Sequence, residues 1–146
     1  MYIAVADSAG CRLFAADEPT GPLRELEDLS HPEARLHERD LVSDLPGRAF
    51  DSMGAGRHAM EVQVSPKKQE AINFAGRIAE RLEAGRTNNE FDKLALVAAP
   101  EFLGLLRDKL SAPLRGLVTH EIGKNLVRED ARTIRARLPE KLFPAL

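Results

Sequence analysis

The sequence is poor in aromatic residues. It has no tryptophan, one tyrosine and six phenylalanines among its 146 residues. Any hydrophobic core must therefore be built mostly from aliphatic side chains. A single domain of this length buries roughly two-thirds of its unfolded surface, so it needs neither a disulfide nor a metal to fold. We expect one domain over residues 1–146.

Cysteine is nearly absent as well. The single cysteine, Cys11, cannot form an internal disulfide, and no cluster of cysteine ligands for zinc is present. This indicates a reduced, cytoplasmic setting. The position of Cys11 inside an apolar run predicts a small buried side chain.

Long hydrophobic runs are missing. No segment approaches the roughly 20 apolar residues of a transmembrane helix, so we expect no membrane insertion. The first residues, MYIAVADSAG, lack a basic region before their short apolar run. They predict a first β-strand and not a signal peptide.

No excess of either charge is present. The net charge is −2, with 30 % charged and 43 % hydrophobic residues. This is the composition of an ordinary folded protein and not of a disordered one. It argues against nucleic-acid binding through bulk charge, but it leaves a local basic face open.

Hydrophobic patterns predict a mixed α/β fold. Residues 2–6, 11–15 and 23–30 form an antiparallel meander, with Gly10 free to take positive φ in the first turn. A long helix begins at Ser65 and Pro66 and stops at Gly85. A parallel βαβ unit follows. Its parts, and the last helix, are residues 93–99, 101–110, 117–122 and 129–138, with a break at 111–113. The expected fold class is α/β, with a mixed sheet covered by helices.

Residues 31–64 form the exception to this regularity. This segment of 34 residues is polar, has no helix or strand period and holds three of the four histidines. Compact domains rarely carry so long an irregular segment unless it is functional or disordered. We therefore expect it to be the functional part of the chain.

No complete catalytic motif occurs in the sequence. The histidines and acids of the segment lack the H-E-x-x-H spacing of a zinc site, and no serine lies in a G-x-S-x-G elbow. Asp7 at the end of the first strand, with Asp40, Asp44 and Asp51, leaves Mg²⁺-dependent hydrolysis as an alternative. Residues 54–58, Gly-Ala-Gly-Arg-His, lack the rest of a phosphate-binding loop. We assign no catalytic residue, metal or cofactor.

Five stretches of the chain are similar to one family. These are MYIAVADSAGCRLFAAD, LEDLSHPEARLHERDLVSDLPGRAFDS, GRHAMEVQVSP, FDKLALVAAPEFLGLLR and LSAPLRGLVTHEIGKNL. In order and spacing they resemble the bacterial host attachment proteins, also called proteins required for attachment to host cells. The resemblance covers essentially the whole chain. It implies a role in attachment but brings no catalytic residue with it.

The order of elements also resembles a second, more distant family. Strands, a glycine-bearing loop, a long helix and a βαβ unit look like the middle domain of archaeo-eukaryotic release factors and their bacterial relatives, which has an RNase-H-like sheet. In those proteins the loop carries a Gly-Gly-Gln tip. Residues 54–58 would correspond to this tip, but they contain no glutamine.

The sequence thus favours a non-enzymatic, cytoplasmic binding module whose residues 31–64 dock on a macromolecular partner that the sequence does not identify. Alternatives are a ribosome- or RNA-associated factor, and an Mg²⁺-dependent nuclease or hydrolase. The predicted binding residues of the loop tip and its flanks are Arg48, Asp51, Gly54, Gly56, Arg57 and His58. The predicted polar cluster of the segment is His31, Glu33, His37, Glu38, Arg39 and Asp40.

Overall fold

The computed structural model of the protein describes residues 1–30 and 65–144. Its first three strands are β1 (Tyr2–Asp7), β2 (Gly10–Ala16) and β3 (Leu23–Ser30). After the undescribed residues come α1 (Pro66–Thr87), β4 (Leu94–Val97), α2 (Pro100–Lys109), α3 (Ala112–Arg115), β5 (Val118–Ile122) and α4 (Ala131–Ala136). The predicted mixed α/β class is confirmed.

The five described strands form one sheet in the order β3-β2-β1-β4-β5. The meander β1–β2–β3 is antiparallel, and β4 pairs in parallel with both β1 and β5. Strands β1 and β4 occupy the centre, and Ile3 to Ala6 and Leu94 to Val97 are all buried. Their continuous apolar runs reflect burial on both faces of the sheet.

A β-bulge explains why the leucines of β3 do not alternate. The pairing with β2 advances from Phe14–Glu25 to Leu13–Glu27, which leaves Leu26 as an extra residue. A bulge reverses the alternation of the residues that follow it. Leu23 accordingly packs on one face of the sheet, and Leu26 and Leu29 pack on the other.

Helices cover both faces of the sheet. On the first face, buried side chains of α1, α2 and α3 pack against Ala4, Ala6, Leu94, Leu96 and Ala98. On the second face, Leu126, α4 and the chain after it supply the cover through Ile134, Leu138 and Leu142. The alanines on the first face leave room for the large side chains of the helices, such as Phe74 and Leu106.

The helix ends correct several details of the sequence prediction. Gly85 does not stop α1, which continues to Thr87. The left-handed residue that follows is Asn89, with φ 58°, a role in which asparagine can replace glycine. Ser111 begins α3 by accepting a hydrogen bond from Leu114 N, so residues 111–113 start a helix and do not merely break one.

Two further details differ from expectation. The last helix is shorter than residues 129–138, because Asp130 caps α4 at its start by accepting from Thr133 N at 2.7 Å. Gly10 does not adopt positive φ. Instead, the Asp7 carboxylate shapes the first turn by accepting hydrogen bonds from Ala9 N at 2.8 Å and Gly10 N at 2.9 Å.

Two glycines of α1 are expected to respond to substitution in opposite directions. A Cβ at Gly85 would lie 2.8 Å from Cε1 of Phe91, a buried ring that stacks on Tyr2. Gly85→Ala should therefore lower the free energy of unfolding by about 1–3 kcal/mol. A Cβ at Gly76 meets nothing within 4 Å. Gly76→Ala should raise that free energy by about 0.5–1 kcal/mol through helix propensity.

Urea denaturation of the two variants checks this pair. Equal stabilisation of both would show that Phe91 gives way to the added methyl group and that α1 behaves as an unobstructed helix at Gly85.

Candidate functional site

The centre of the sheet has a geometry that favours a binding site. After β1 the chain continues to β2 on one side, whereas after β4 it continues through α2 to β5 on the other side. The carboxyl ends of these two neighbouring parallel strands therefore mark a point where the strand order reverses. In open α/β sheets, ligands bind in the crevice outside such a point.

An open cleft of about 520 Å³ lies at this place. Its apolar wall is formed by Ala71 of α1 and by Phe102 and Leu105 of α2. Its polar lining comes from the strand ends, the helix starts and the chain after β5. These polar residues are Asp7, Ser8, Ser65, Lys67, Lys68, Glu101 and Asn125. The cleft thus combines an apolar wall with groups of both charges and several hydrogen-bonding atoms, as in many binding sites.

The starts of α1 and α2 both border the cleft. Ser65 caps α1 by accepting a hydrogen bond from Lys68 N at 3.1 Å, and Pro66 follows it. The first turn of α1 has no acidic residue, although acids are the stabilising choice there. Lys67 and Lys68 instead add positive charge to the positive end of the helix dipole. This arrangement places two basic residues on the α1 side of the cleft.

On the other sides of the cleft the charge is negative. Glu101 lies in the first turn of α2, where it complements the helix dipole. Asp7 holds the turn after β1 through its two backbone hydrogen bonds. The cleft is therefore suited to a polar group that is contacted by both charges.

The undescribed residues 31–64 are connected to this same edge of the sheet. Ser30, the last residue of β3, pairs with Gly10, and Gly10 pairs with Asp7. Ser30 thus lies at the level of the carboxyl end of β1. Ser65, where the description resumes, lines the cleft. Both ends of the segment therefore start from the edge at which the cleft opens.

None of the twelve predicted site residues can be placed in this geometry, because all lie outside the described residues. They are Arg48, Asp51, Gly54, Gly56, Arg57 and His58 of the predicted tip and flanks, and His31, Glu33, His37, Glu38, Arg39 and Asp40 of the polar cluster. Their roles stay predictions. The fourth histidine, His120, lies on β5 with Nδ1 2.8 Å from Thr119 Oγ1.

Two other residues considered for chemistry have structural roles. Cys11 is fully buried on β2, as predicted. Burial raises the pKa of its thiol to about 12, so it is neither a ready nucleophile nor a metal ligand. Asp7 shapes its turn, and among the described residues no group of three or more His, Cys, Asp or Glu side chains could hold a metal ion.

The sequence did not predict that Lys68, Glu101, Phe102 and Asn125 are neighbours in one cleft. For Lys68 the sequence did hold a signal: the first helical turn after Ser65 and Pro66 contains lysines and no acidic residue. The other three come from separate parts of the chain, and only the pairing of β1 with β4 brings them together.

The described residues form a mixed α/β structure with an open cleft at the switch point of its sheet. The chain belongs to the family described as "Protein required for attachment to host cells", whose sequence profile matches residues 2–138. A relative from Rickettsia prowazekii (strain Madrid E), called "Uncharacterized protein RP470", is 28 % identical over 143 residues. That match covers 90 % of this chain and 87 % of the relative.

A structural comparison gives a weaker likeness. A solved structure called "Archaeal protein" superimposes with a TM-score of 0.43 and 11 % sequence identity. The match covers 93 % of this chain and 35 % of the archaeal chain, so this chain spans about a third of that protein. The finer similarities, to an RNase-H-like sheet and to the middle domain of release factors, stay predictions.

None of the described helices is both long and apolar enough to cross a membrane.

Proposed function

We propose that the protein serves attachment to host cells as a non-enzymatic binding module, and that residues 31–64 and the cleft together form its docking surface. Family membership supports the role in attachment. The observation that carries the docking surface is the position of Ser30 and Ser65 at the edge of the sheet where the cleft opens. We therefore propose that a partner bound by the segment also contacts the cleft.

Binding fits the described cleft better than catalysis. Of the two serine hydroxyl groups in the lining, those of Ser8 and Ser65, the Ser65 hydroxyl caps α1. Asp7 Oδ1 accepts the two hydrogen bonds of the turn. The described lining contains neither a histidine nor a cysteine that would form a nucleophile–base pair. What remains is an apolar wall beside groups of both charges, which suits recognition of a polar partner surface.

Within the segment, we propose that Arg57 and His58 make the main contacts, with Arg48 and Asp51 beside them. Gly54 and Gly56 would let the backbone turn tightly next to these side chains. The cluster of His31, Glu33, His37, Glu38, Arg39 and Asp40 would supply further polar contacts near the start of the segment.

An attachment assay with variant strains tests this proposal. In a strain lacking the protein, the wild-type chain should restore attachment to host cells, and Arg57→Ala/His58→Ala should restore at most about a tenth of it. Loss of two central charged contacts commonly costs an interface 2 kcal/mol or more, and about 1.4 kcal/mol corresponds to a tenfold change in binding.

The matched control is Arg115→Ala/His120→Ala, which removes the same residue types from α3 and β5. Arg115 is exposed and His120 is half-buried, and neither lines the cleft. The control should attach like the wild type at equal protein abundance. Full attachment by Arg57→Ala/His58→Ala, or equal loss in both variants, would contradict the proposal.

The cytoplasmic location is part of this proposal, since one buried thiol is ordinary in a reducing compartment. Cell fractionation should place the protein with cytoplasmic markers. Recovery at the cell surface would instead mean that the docking surface meets the host directly.

A further inference from the structure

The arginines of the described chain fall into two groups. Several of those on the sheet and on α1 and α2 pair with carboxylates, among them Arg24 with Asp17, Arg86 with Glu83 and Arg107 with Glu121. Arg77 and Arg115, which precede β5, form no such pair with a described carboxylate. No arginine after β5 forms an ion pair with a described residue, although acidic residues are available nearby.

The charge of this last region is opposite to that of the whole chain. Residues 123–144 contain six basic and three acidic residues, a net charge of +3, whereas the entire chain carries −2. Five of the six basic side chains belong to exposed residues. We call them the C-terminal basic surface: Lys124, Arg128, Arg132, Arg137 and Lys141.

The sixth basic residue, Arg135, holds the scaffold in place. It donates to the carbonyl oxygens of Gly21 at 2.8 Å, Pro139 at 2.8 Å and Glu140 at 2.7 Å. Beneath it, Ile134, Leu138 and Leu142 are buried against the sheet. The polypeptide that carries the basic surface is thus fixed at several points.

Arg12 fixes the start of the same region from β2. Its guanidinium donates to the carbonyl oxygens of Val127, at 2.8 Å, and Glu129. The two internal arginines, Arg12 and Arg135, therefore anchor the backbone of the region. The five exposed cations form no ion pair with a carboxylate of residues 1–30 or 65–144, although Arg132 lies near Asp130 and Arg128 lines a cavity with Asp28. An excess of positive charge in one stretch of the chain destabilises a fold slightly, so a binding role accounts for these cations better than a structural one.

We propose that the C-terminal basic surface binds the phosphodiester backbone of a nucleic acid. Three of its five cations are arginines. A planar guanidinium group can donate two parallel hydrogen bonds to two oxygens of one phosphate. A membrane surface fits less well, because the large apolar side chains of α4 and its flanks, Ile134, Leu138 and Leu142, point into the core and offer no anchor to a bilayer. The proposal is independent of the docking surface at the cleft.

Three acidic residues share the region and limit the affinity. Asp130 is engaged in capping α4, and the hydrogen bonds from Thr133 lower the pKa of its carboxyl. Glu129 and Glu140 are exposed. With a net charge of +3, the binding should be weak, independent of sequence and strongly dependent on salt.

Fluorescence anisotropy with the full chain tests the proposal. The probes are a labelled single-stranded RNA of mixed sequence and a labelled DNA duplex, each titrated over a series of salt concentrations. Arg128→Ala/Arg132→Ala/Arg137→Ala should lower the affinity at least about tenfold at low salt. It should also flatten the slope of log K against log[salt] by about 2–3, since each phosphate contact contributes roughly 0.7–0.9.

The matched control removes the same charge from the opposite face of the sheet. Arg77, Lys109 and Arg115 are exposed on α1, α2 and α3. Arg77→Ala/Lys109→Ala/Arg115→Ala should leave affinity and slope near those of the wild type. Arg128→Lys/Arg132→Lys/Arg137→Lys should retain most of the wild-type slope of log K against log[salt], because lysine keeps the positive charge. Urea unfolding of all three variants should match the wild type within about 0.5 kcal/mol.

Binding of either probe, with the loss confined to the surface variant, supports the proposal, and the two probes tell RNA from DNA. Three results would overturn it. The first is no binding of either probe at low salt, and the second is equal loss in the surface and control variants. The third is binding only to an additional probe, vesicles containing phosphatidylglycerol tested by co-sedimentation, which would assign the surface to a phospholipid bilayer.

Discussion

Leu106→Ala is expected to lower the free energy of unfolding by about 2–5 kcal/mol, the usual range for deleting a buried leucine side chain. Leu106 is fully buried in the first-face core, in one cluster with Leu96 of β4 and Ile78 of α1. It lies where α1 and α2 meet the sheet. The lost packing and the remaining cavity account for the expected effect.

The neighbouring residue Leu105 provides the control. It is half-buried and lines the cleft. Leu105→Ala should cost less than about 1 kcal/mol, since part of its surface is already in water. Urea denaturation curves with equal m-values would allow a direct comparison. If the two variants were equally stable, the assignment of α2's inner face would be wrong.

Arg12→Ala is expected to cost about 2–3 kcal/mol, as is typical for hydrogen bonds to a charged group in a partly buried setting. The Arg12 side chain is only 18 % exposed. It donates a bidentate pair of hydrogen bonds to the Glu25 carboxylate, at 3.0 and 2.9 Å. It also donates to two backbone carbonyl oxygens just before α4. Its guanidinium also lies 5.1 Å from the centre of the Phe14 ring. Alanine would leave these acceptors without their donor.

The control for Arg12 is Arg24→Ala. Arg24 pairs with Asp17, but both side chains are 60 % or more exposed, so the loss of stability should be much smaller than for Arg12→Ala. Equal effects in thermal or urea unfolding would mean that the partly buried position of Arg12 adds nothing to its contacts.

The Arg12 effect should also depend on pH. The hydrogen bonds from Arg12 lower the pKa of Glu25 below its ordinary value in the folded protein. A carboxyl with a lowered pKa contributes stability above its unfolded pKa and loses that contribution as the pH falls through the folded value. The gap in unfolding free energy between the wild type and Arg12→Ala should therefore narrow below about pH 4.5. A gap that widened on acidification would contradict this pairing.

Much of the architecture could be predicted because its signals are local. The apolar runs at β1 and β4, the Ser65-Pro66 helix start and the alternation in β5 each act within a few residues. The features that differed depend on distant contacts. In the sequence Gly85 has the pattern of a helix stop, but in the structure its missing Cβ makes room for Phe91. The bulge at Leu26 places Leu26 and Leu29, three residues apart, on the same face of the sheet, and this depends on the pairing of β3 with β2.

The candidate site was harder to predict for the same reason. The family resemblance and the length of residues 31–64 pointed to the segment, and these signals are visible in the sequence. The cleft arises only when the ends of β1 and β4 lie side by side, which brings Asp7 near Glu101 and the start of α1. The net charge of the whole chain did not indicate the C-terminal basic surface, because a surplus of acidic residues in the rest of the chain makes that net charge negative.

Photo-crosslinking in cells would test most directly whether the edge at the cleft is the docking surface. A photoreactive amino acid would replace Lys68, an exposed residue that lines the cleft, or Lys109, an exposed residue at the far end of α2. We expect one discrete adduct from position 68 that disappears when Arg57→Ala/His58→Ala is added, and none from position 109. An adduct from position 109 alone, or one from position 68 that persists in the double variant, would contradict the account.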